Sequence, residues 1–230
     1  MPEDIFTNPV WHALETRQRR FAQFAGDACK YVADVAPFAA VATRSEQASR
    51  QLCSLLAPGE VVYMMGAAPF EVPGLVVRGT LPGLQMIFPD DAELPATGHA
   101  DLEILPLSCA HAEEMVALTE IAFPGYFRIR TCEMGTYYGV RINGALVAMA
   151  GERFAFDRYV EISGVCTHPE HRGHGYAAAL ITRLLLDHRR DGWLSCLHTG
   201  AANKNAIRLY ERIGFAVNRD VNFHRVLRSE

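Results

Sequence analysis

The stretch HPEHRGHGYAAALI (168–181) decides how this chain is organised. The apolar run before it, YVEISGVCTH, predicts a strand. After it, apolar residues recur at helical spacing from Ala177 to Leu185, so a helix is predicted to begin at the turn. Gly173 and Gly175 leave little more than backbone at the entrance to that helix. The stretch therefore predicts a strand, a glycine turn and a helix at the centre of the fold.

The glycine turn is suited to binding a phosphate group. The first turn of a helix leaves backbone N–H groups unpaired and carries partial positive charge, and Arg172 adds a full charge. The turn does not match two familiar phosphate loops. No Gly-Lys-Ser/Thr follows it, and Ala178 replaces the third glycine of the dinucleotide-binding pattern. A turn that only connects a strand to a helix stays an alternative.

Composition excludes several classes of protein. Half of the 230 residues are hydrophobic, 21% are charged, and the net charge is −4, which is typical of a water-soluble protein and indicates neither nucleic acid nor membrane as a partner. No run approaches the roughly 20 apolar residues of a membrane span, and no signal peptide is predicted. The six cysteines include no Cys-x-x-Cys pair, which favours reduced thiols and a cytoplasmic location.

One segment, PDDAELPATGHAD (89–101), is rich in Pro, Gly and Asp and predicts a linker. We therefore expect an N-terminal α/β domain over residues 1–95 and a second domain over residues 96–230. The first contains two predicted helices and two predicted strands but no recognisable chemistry. In the second, Asn143-Gly144 predicts a hairpin, and Asn203 predicts the start of the last helix. The second domain is expected to be a mixed α/β sheet that starts antiparallel.

Two motifs in the second half resemble those of the GNAT superfamily of acyl-CoA-dependent N-acyltransferases. Arg172, Gly175 and Ala177 match its Arg-x-x-Gly-x-Gly/Ala signature, and NKNAIRLYERIGF (203–215) is similar to its final motif. The resemblance covers residues 101–228 and implies an α/β, GNAT-like fold. That fold is a mixed central sheet with flanking helices, here preceded by a smaller α/β unit. The N-terminal extension resembles two-domain members whose first half is a degenerate acyltransferase-like unit.

The resemblance implies acetyl-CoA as cosubstrate. Backbone amides of the glycine turn should hold its pyrophosphate, and the preceding strand should pair with its pantetheine arm as an added strand would. The residues implied in cofactor binding are Val165, Cys166, Thr167, Arg172, Gly173, His174, Gly175, Tyr176, Ala177 and Asn203. An ordinary buried strand would also explain Val165 and Cys166, and helix capping alone would explain Asn203.

Two residues are candidate catalytic groups. The resemblance implies Tyr210 as the acid that protonates the departing CoA thiolate, although a tyrosine on an apolar helix face also suits a core. Glu161 is a candidate base for the amine, directly or through water. Strand alternation predicts that Glu161, Ser163 and Val165 share one face. An outward, solvated Glu161 stays the alternative.

Other reactive side chains predict no separate chemistry. His168, His171 and His174 lack a Cys or acid to complete a metal shell, so no metal site is expected. Cys166 has no visible His–acid arrangement to activate it as a nucleophile, so direct transfer is expected. The segment FPGYFRIRT (123–131) is a candidate acceptor-binding loop, with a packed connection as the alternative.

These observations predict transfer of an acetyl group from acetyl-CoA to a primary amine of a small molecule or peptide, in a ternary complex. A non-catalytic CoA-binding or regulatory module stays open. An amino-acid N-acyltransferase that uses a longer acyl-CoA also stays open, as does a homodimer. The sequence does not name the acceptor.

Overall fold

The computed structural model describes residues 4–95 and 102–229, so part of the predicted linker, residues 96–101, lies outside the described residues. The α-helices are α1 (Pro9–Glu15), α2 (Glu46–Leu55), α3 (Ala112–Ala122), α4 (Tyr176–Arg190) and α5 (Lys204–Ile213). The strands are β1 (Ala22–Ala25), β2 (Ala28–Tyr31), β3 (Ala39–Val41), β4 (Val61–Met65), β5 (Leu75–Ile87), β6 (Leu105–Leu107), β7 (Tyr137–Ile142), β8 (Ala145–Phe156), β9 (Tyr159–Thr167), β10 (Leu194–Gly200) and β11 (Ala216–Arg228).

The strands form two sheets. A small sheet has the order β1-β2-β3, and an eight-stranded sheet has the order β4-β11-β5-β10-β9-β8-β7-β6. In the large sheet β9 and β10 are parallel, and every other neighbouring pair is antiparallel. The predicted mixed sheet with an antiparallel start is confirmed.

The strand β5 joins the two halves of the chain. It lies inside the large sheet between β10 and β11, and its residues pair with both, as Gln85 does with His198 and Arg219. The strand β4, also from the first half, covers the outer edge of β11. The predicted boundary at residue 95 is therefore not a break between two sheets. Composition marked a connecting segment at this point, but strands from before and after the segment are hydrogen-bonded to each other in one sheet.

Local signals placed several elements correctly. Asn8 caps α1, with Pro9 at its first position, and Asn203 caps α5 by accepting a hydrogen bond from the Ala206 amide. Asn143 has a φ of 52°, as the predicted hairpin requires. The spacing of Val10, Leu14, Phe21 and Phe24 in the sequence favours one helix that continues to Phe24, but α1 ends at Glu15 and residues 22–25 form a strand.

The helices of the second half pack against the large sheet in two apolar clusters. Helices α4 and α5 pack with Ile162 of β9 and Met86 of β5 in one apolar cluster. Helix α3 packs with Tyr137, Met149 and Cys166 in another. The first cluster therefore includes a strand from the N-terminal half. None of the helices within the described residues is long and apolar enough to cross a membrane.

The position of β5 predicts that residues 96–230 do not fold alone. Without β5, the facing edges of β10 and β11 would lose their shared partner, and an unpaired strand edge and an open apolar cluster would remain. We expect this fragment to show no cooperative thermal unfolding, whereas the full chain does. Co-expression with residues 1–95 as a separate chain should restore a complex that co-purifies. A cooperatively folded 96–230 fragment would contradict the assignment.

Candidate active site

The glycine turn presents a row of backbone N–H groups. Gly173 has a φ of 84° and Gly175 a φ of 78°, in the left-handed region where other L-residues are strained. Gly175 is the N-cap of α4 and offers no capping side chain. Within the described chain, the N–H groups of residues 173–178 find no hydrogen-bond acceptor. This is the arrangement that binds anions at a helix N-terminus.

A single cavity of about 1150 Å³ brings the predicted site residues together. The ten residues implied in cofactor binding all line it, and so does Tyr210. It is bounded by the end of β9, the glycine turn, α4 and α5, with Ala122 and Phe123 on another side. Residues separated by as many as 45 positions in sequence therefore share one wall. The roles of these residues in coenzyme binding stay predictions.

The two parallel strands separate beside this cavity. They pair only over Tyr159–Glu161 of β9 and Leu194–Cys196 of β10. Beyond Glu161, β9 continues without β10 as its neighbour, so backbone groups at Val165–Thr167 face the gap. An extended chain inserted there would find hydrogen-bonding groups on β9, as strand addition requires.

The charge of the cavity suits a polyanion. Its lining includes Arg172, Arg183 and Arg212, with His171 and His174 at the turn. No Asp or Glu of the described residues lines it. The Nε of Arg183 donates to Asp187 outside the cavity, and the Nε of Arg172 donates to the Thr167 carbonyl at 3.4 Å. Of the three guanidinium groups, that of Arg212 makes no hydrogen bond with a described residue. A cationic wall beside unpaired amides favours phosphate ligands.

The surroundings of Tyr210 favour the protonated form of its phenol. Only 8% of the residue is exposed, and its ring packs against Phe215. Its hydroxyl makes no hydrogen bond with a described residue and is not among the enclosed, unsatisfied groups, so it faces the cavity. Burial, followed by the negative charge of Glu161, raises the pKa of Tyr210 to about 12. The hydroxyl therefore keeps its proton at neutral pH.

Cys166 and Asn203 line the cavity, and each also has the structural role that was the alternative to coenzyme binding. Cys166 is buried against Met149 and Met115, and burial raises the pKa of its thiol to about 12, so the reactive thiolate is suppressed. Asn203 caps α5. In the 123–131 segment, Phe127 is buried and Arg130 is bound to Asp34 and Glu133, so this arginine is already paired.

Glu161 is placed differently from our expectation. Its side chain is fully buried outside the cavity lining, where Arg153 donates two hydrogen bonds to it, at 2.8 and 2.6 Å, and His198 Nδ1 lies 2.7 Å from Oε1. Burial alone raises the pKa of Glu161, but the Arg153 charge and the hydrogen bonds outweigh it and lower the pKa to about 2. Neither direct contact with an amine nor the solvated alternative fits this position, and a role through water stays a prediction.

A bulge explains the wrong face assignment. Gly164 has a φ of 63°, and the pairing of β8 with β9 shifts register between Met149 and Gly151. An extra residue in one strand reverses the alternation beyond it. Val165 therefore packs in the cluster that includes Ile162, and Glu161 points to the opposite face.

A family model for the acetyltransferase (GNAT) family matches residues 103–215. A GNAT-family acetyltransferase from Novosphingobium aromaticivorans has a crystal structure similar to this one, with a TM-score of 0.89. The two sequences are 35% identical over 99% of this chain and 100% of that one. This chain belongs to the GNAT acetyltransferase family. The predicted GNAT-like fold is confirmed.

A more distant GNAT relative shares the fold. It is a GCN5-related N-acetyltransferase from Kribbella flavida, 19% identical, with a TM-score of 0.59 over 98% of this chain and 95% of that one. A search of curated proteins found no match. The matched GNAT region includes every predicted site residue but not β5, which completes the sheet from outside it.

The sequence analysis missed a largely buried polar network around Glu161 of β9, the strand that borders the cavity. The Glu161 network comprises Arg153, Glu161, His198, Gln85 and Asn218. Its members lie on β8, β9, β10, β5 and β11, which are consecutive neighbours in the sheet. The available signal was a lone acid in an apolar strand, which requires a partner. The partners come from four other strands, so sequence spacing did not show them.

The hydrogen bonds of the network continue from His198 to Gln85 and Asn218. Gln85 Nε2 lies 2.8 Å from His198 Nε2 and also donates to the Phe6 carbonyl, while Gln85 Oε1 accepts from Asn218. With Gln85 as donor, His198 Nε2 accepts, and its Nδ1–H donates to Glu161. Arg153 and Glu161 form the ion pair of this network.

This pair predicts a specific acid sensitivity. The Glu161 carboxyl has a pKa of about 2 when folded, against an ordinary value of 4.5, so the stability it contributes is present above about pH 4.5 and lost as pH falls towards 2. From pH 5 to pH 2, the free energy of unfolding should fall by about 3 kcal/mol more in the parent than in Glu161→Gln. Urea unfolding at each pH measures this difference.

At neutral pH, Glu161→Gln should itself cost about 3–5 kcal/mol, because the Arg153 guanidinium stays buried without its counter-charge. Glu114→Gln is the control, since it breaks a more exposed ion pair with Arg141 and should cost at most about 1 kcal/mol. Equal pH profiles in the parent and Glu161→Gln would contradict the assignment.

Proposed function

We propose that this protein is an N-acetyltransferase that transfers an acetyl group from acetyl-CoA to a primary amine of a small molecule or peptide. The observation that supports this most directly is the shared cavity. It combines unpaired amides at the glycine turn, an open strand edge at Val165–Thr167 and the Tyr210 hydroxyl. A molecule with an anionic end, an extended amide arm and a reacting sulfur would use all three features.

The cavity residues fit the chemical parts of acetyl-CoA. The amides of residues 173–178, with Arg172, offer donors and positive charge to a pyrophosphate. The edge of β9 offers backbone groups to the amides of the pantetheine arm. The thioester end then extends from this strand towards Tyr210. Binding in this way depends mainly on backbone, so few side chains need a particular identity.

Transfer then requires two proton movements. The amine attacks the thioester carbonyl, and the departing thiolate takes a proton from Tyr210, which stays protonated at neutral pH. The proton released by the amine goes to water, because Glu161 is buried outside the cavity and no other carboxylate of the described residues lines it. Direct attack also agrees with Cys166, whose thiol is held protonated by burial.

A pure CoA-binding module is the weaker proposal. Such a module would use the glycine turn and the edge of β9. It would not need the Tyr210 hydroxyl, which lies in the same cavity and makes no hydrogen bond with a described residue. The six cysteines form no disulfide in the described structure, which favours a cytoplasmic location.

The first test of this function concerns acetyl-CoA binding. Gly175→Val places a branched side chain at the turn and strains a backbone with a φ of 78°. We expect calorimetry to show acetyl-CoA affinity at least tenfold weaker. Gly192→Val is the matched control, because Gly192 has the same φ just beyond the other end of α4 and lies outside the cavity lining. If both variants bind like the parent, the turn does not hold the coenzyme.

The second test concerns Tyr210. Tyr210→Phe removes one hydroxyl and keeps the ring in its cluster, so acetyl-CoA affinity should change little. The single-turnover rate should fall by roughly 10²–10⁴, as expected for loss of a general acid when chemistry limits the rate. The acceptor comes from a screen of amines and amino acids that detects free thiol.

Tyr138→Phe is the control for this test. Tyr138 is equally buried in the same cluster, but its hydroxyl donates to Asp187 outside the cavity. This variant should lose stability and keep its transfer rate. A Tyr210→Phe protein that transfers acetyl at the parental rate would show that Tyr210 serves only in packing.

A further inference from the structure

Two thiols meet beside the helix that borders the cavity. Cys109 begins a short 3₁₀ helix (Cys109–His111) that leads into α3, and Cys132 lies in another (Thr131–Met134). Their Sγ atoms are 2.6 Å apart, with the Cys132 thiol donating to the Cys109 sulfur. A disulfide has a bond of about 2.05 Å, so the sulfurs need to approach by only about half an ångström.

The two thiols differ in access to solvent. Cys109 is exposed, whereas Cys132 is only 7% exposed and touches the outside through its partner. The remaining cysteines offer no similar pair. Cys53 is partly exposed, but its recorded contact is the Pro73 carbonyl at 3.9 Å, and the other three are buried singly. An oxidant in solution therefore reacts with Cys109 first, and the Cys132 thiol is then the nearest group that can react with the modified Cys109.

The pair connects two parts of the fold that are held by different contacts. Just before Cys132, the Thr131 hydroxyl donates to the Val35 carbonyl at 2.6 Å, and the Arg130 amide donates to the Asp34 carbonyl, so this segment is fixed to the N-terminal half. Cys109 instead leads into α3, whose far end borders the cavity at Ala122. A bond between the sulfurs would attach α3 to the N-terminal half.

We propose that Cys109 and Cys132 form a reversible disulfide when the protein meets an oxidising small-molecule disulfide such as oxidised glutathione. The Cys109 thiolate attacks one sulfur of oxidised glutathione, forms a mixed disulfide and releases one glutathione thiolate. The Cys132 thiolate then attacks the Cys109 sulfur, forms the internal disulfide and releases the second glutathione. Two protein thiols are oxidised to one disulfide, and the disulfide of the oxidant is reduced to two glutathione thiolates, which take up the two protons lost by the protein thiols.

The second step depends on ionisation of the Cys132 thiol. Burial, and then the hydrogen bond with Cys109, raises the pKa of Cys132 to about 12, so only a small fraction of it is thiolate at neutral pH. Closure should accelerate about tenfold for each unit of rising pH through the neutral and mildly alkaline range. Closure is therefore expected to be slow at neutral pH and faster in mildly alkaline solution.

The test treats the full chain with oxidised glutathione, removes it, and counts thiols under denaturing conditions. The parent has six cysteines and should lose two thiols, leaving four. A mass lower by two hydrogen atoms, together with a cross-linked pair of peptides containing Cys109 and Cys132, identifies the bond. The thermal midpoint should rise by about 5 to 10 °C, because the cross-link constrains the unfolded chain, and dithiothreitol should reverse the rise.

Variants separate this pair from general oxidation. Cys132→Ser and, separately, Cys109→Ser should abolish both the loss of two thiols and the thermal shift. Cys53→Ser, which replaces the other partly exposed cysteine, should keep both. Glutathione that persists on Cys109, a bond between other cysteines, or six intact thiols in the parent would overturn the proposal. None of these readouts depends on acetyl transfer, so the result is independent of the proposed function.

Discussion

The buried Glu161 carboxylate is the constraint on which the rest of this structure depends. A carboxylate in the middle of a sheet is costly unless it is paired and hydrogen-bonded, and Arg153 and His198 meet that requirement from the strands on either side. His198 in turn requires Gln85, which lies on a strand from the other half of the chain. One buried charge therefore fixes the relative register of neighbouring strands, since a slip of one residue would leave it unpaired.

The candidate active site begins where this network ends. Glu161 and Cys196 are the last residue pair between β9 and β10, and beyond them the strands separate around the cavity. The bulge at Gly164 then turns Val165 towards α4 and away from the face of Glu161. A rigid, fully paired sheet on one side of this point supports an open strand edge on the other. Preorganised backbone groups of this kind bind a ligand without first becoming ordered.

The N-terminal half is part of the architecture of the site. The strand β5 separates β10 from β11, supplies Gln85 to the Glu161 network and adds Met86 to the cluster that holds α4 and Tyr210. Cys132 lies in a segment fixed to this half, and Cys109 leads into α3. Contacts with the N-terminal half therefore support one wall of the cavity and also hold the segment that contains Cys132.

The sequence alone determined the features that depend on neighbouring residues. The glycine turn, the caps at Asn8 and Asn203, the hairpin at Asn143 and the position of Tyr210 on its helix are local, because turn conformation, capping and helical spacing act over a few residues. The role of Glu161, the position of β5 and the meeting of two cysteines were decided only by the tertiary structure. Alternation could not anticipate the Gly164 bulge. The partners of a strand or of a buried charge lie far away in sequence. Local patterns therefore do not identify them, and they are brought together only when the chain folds.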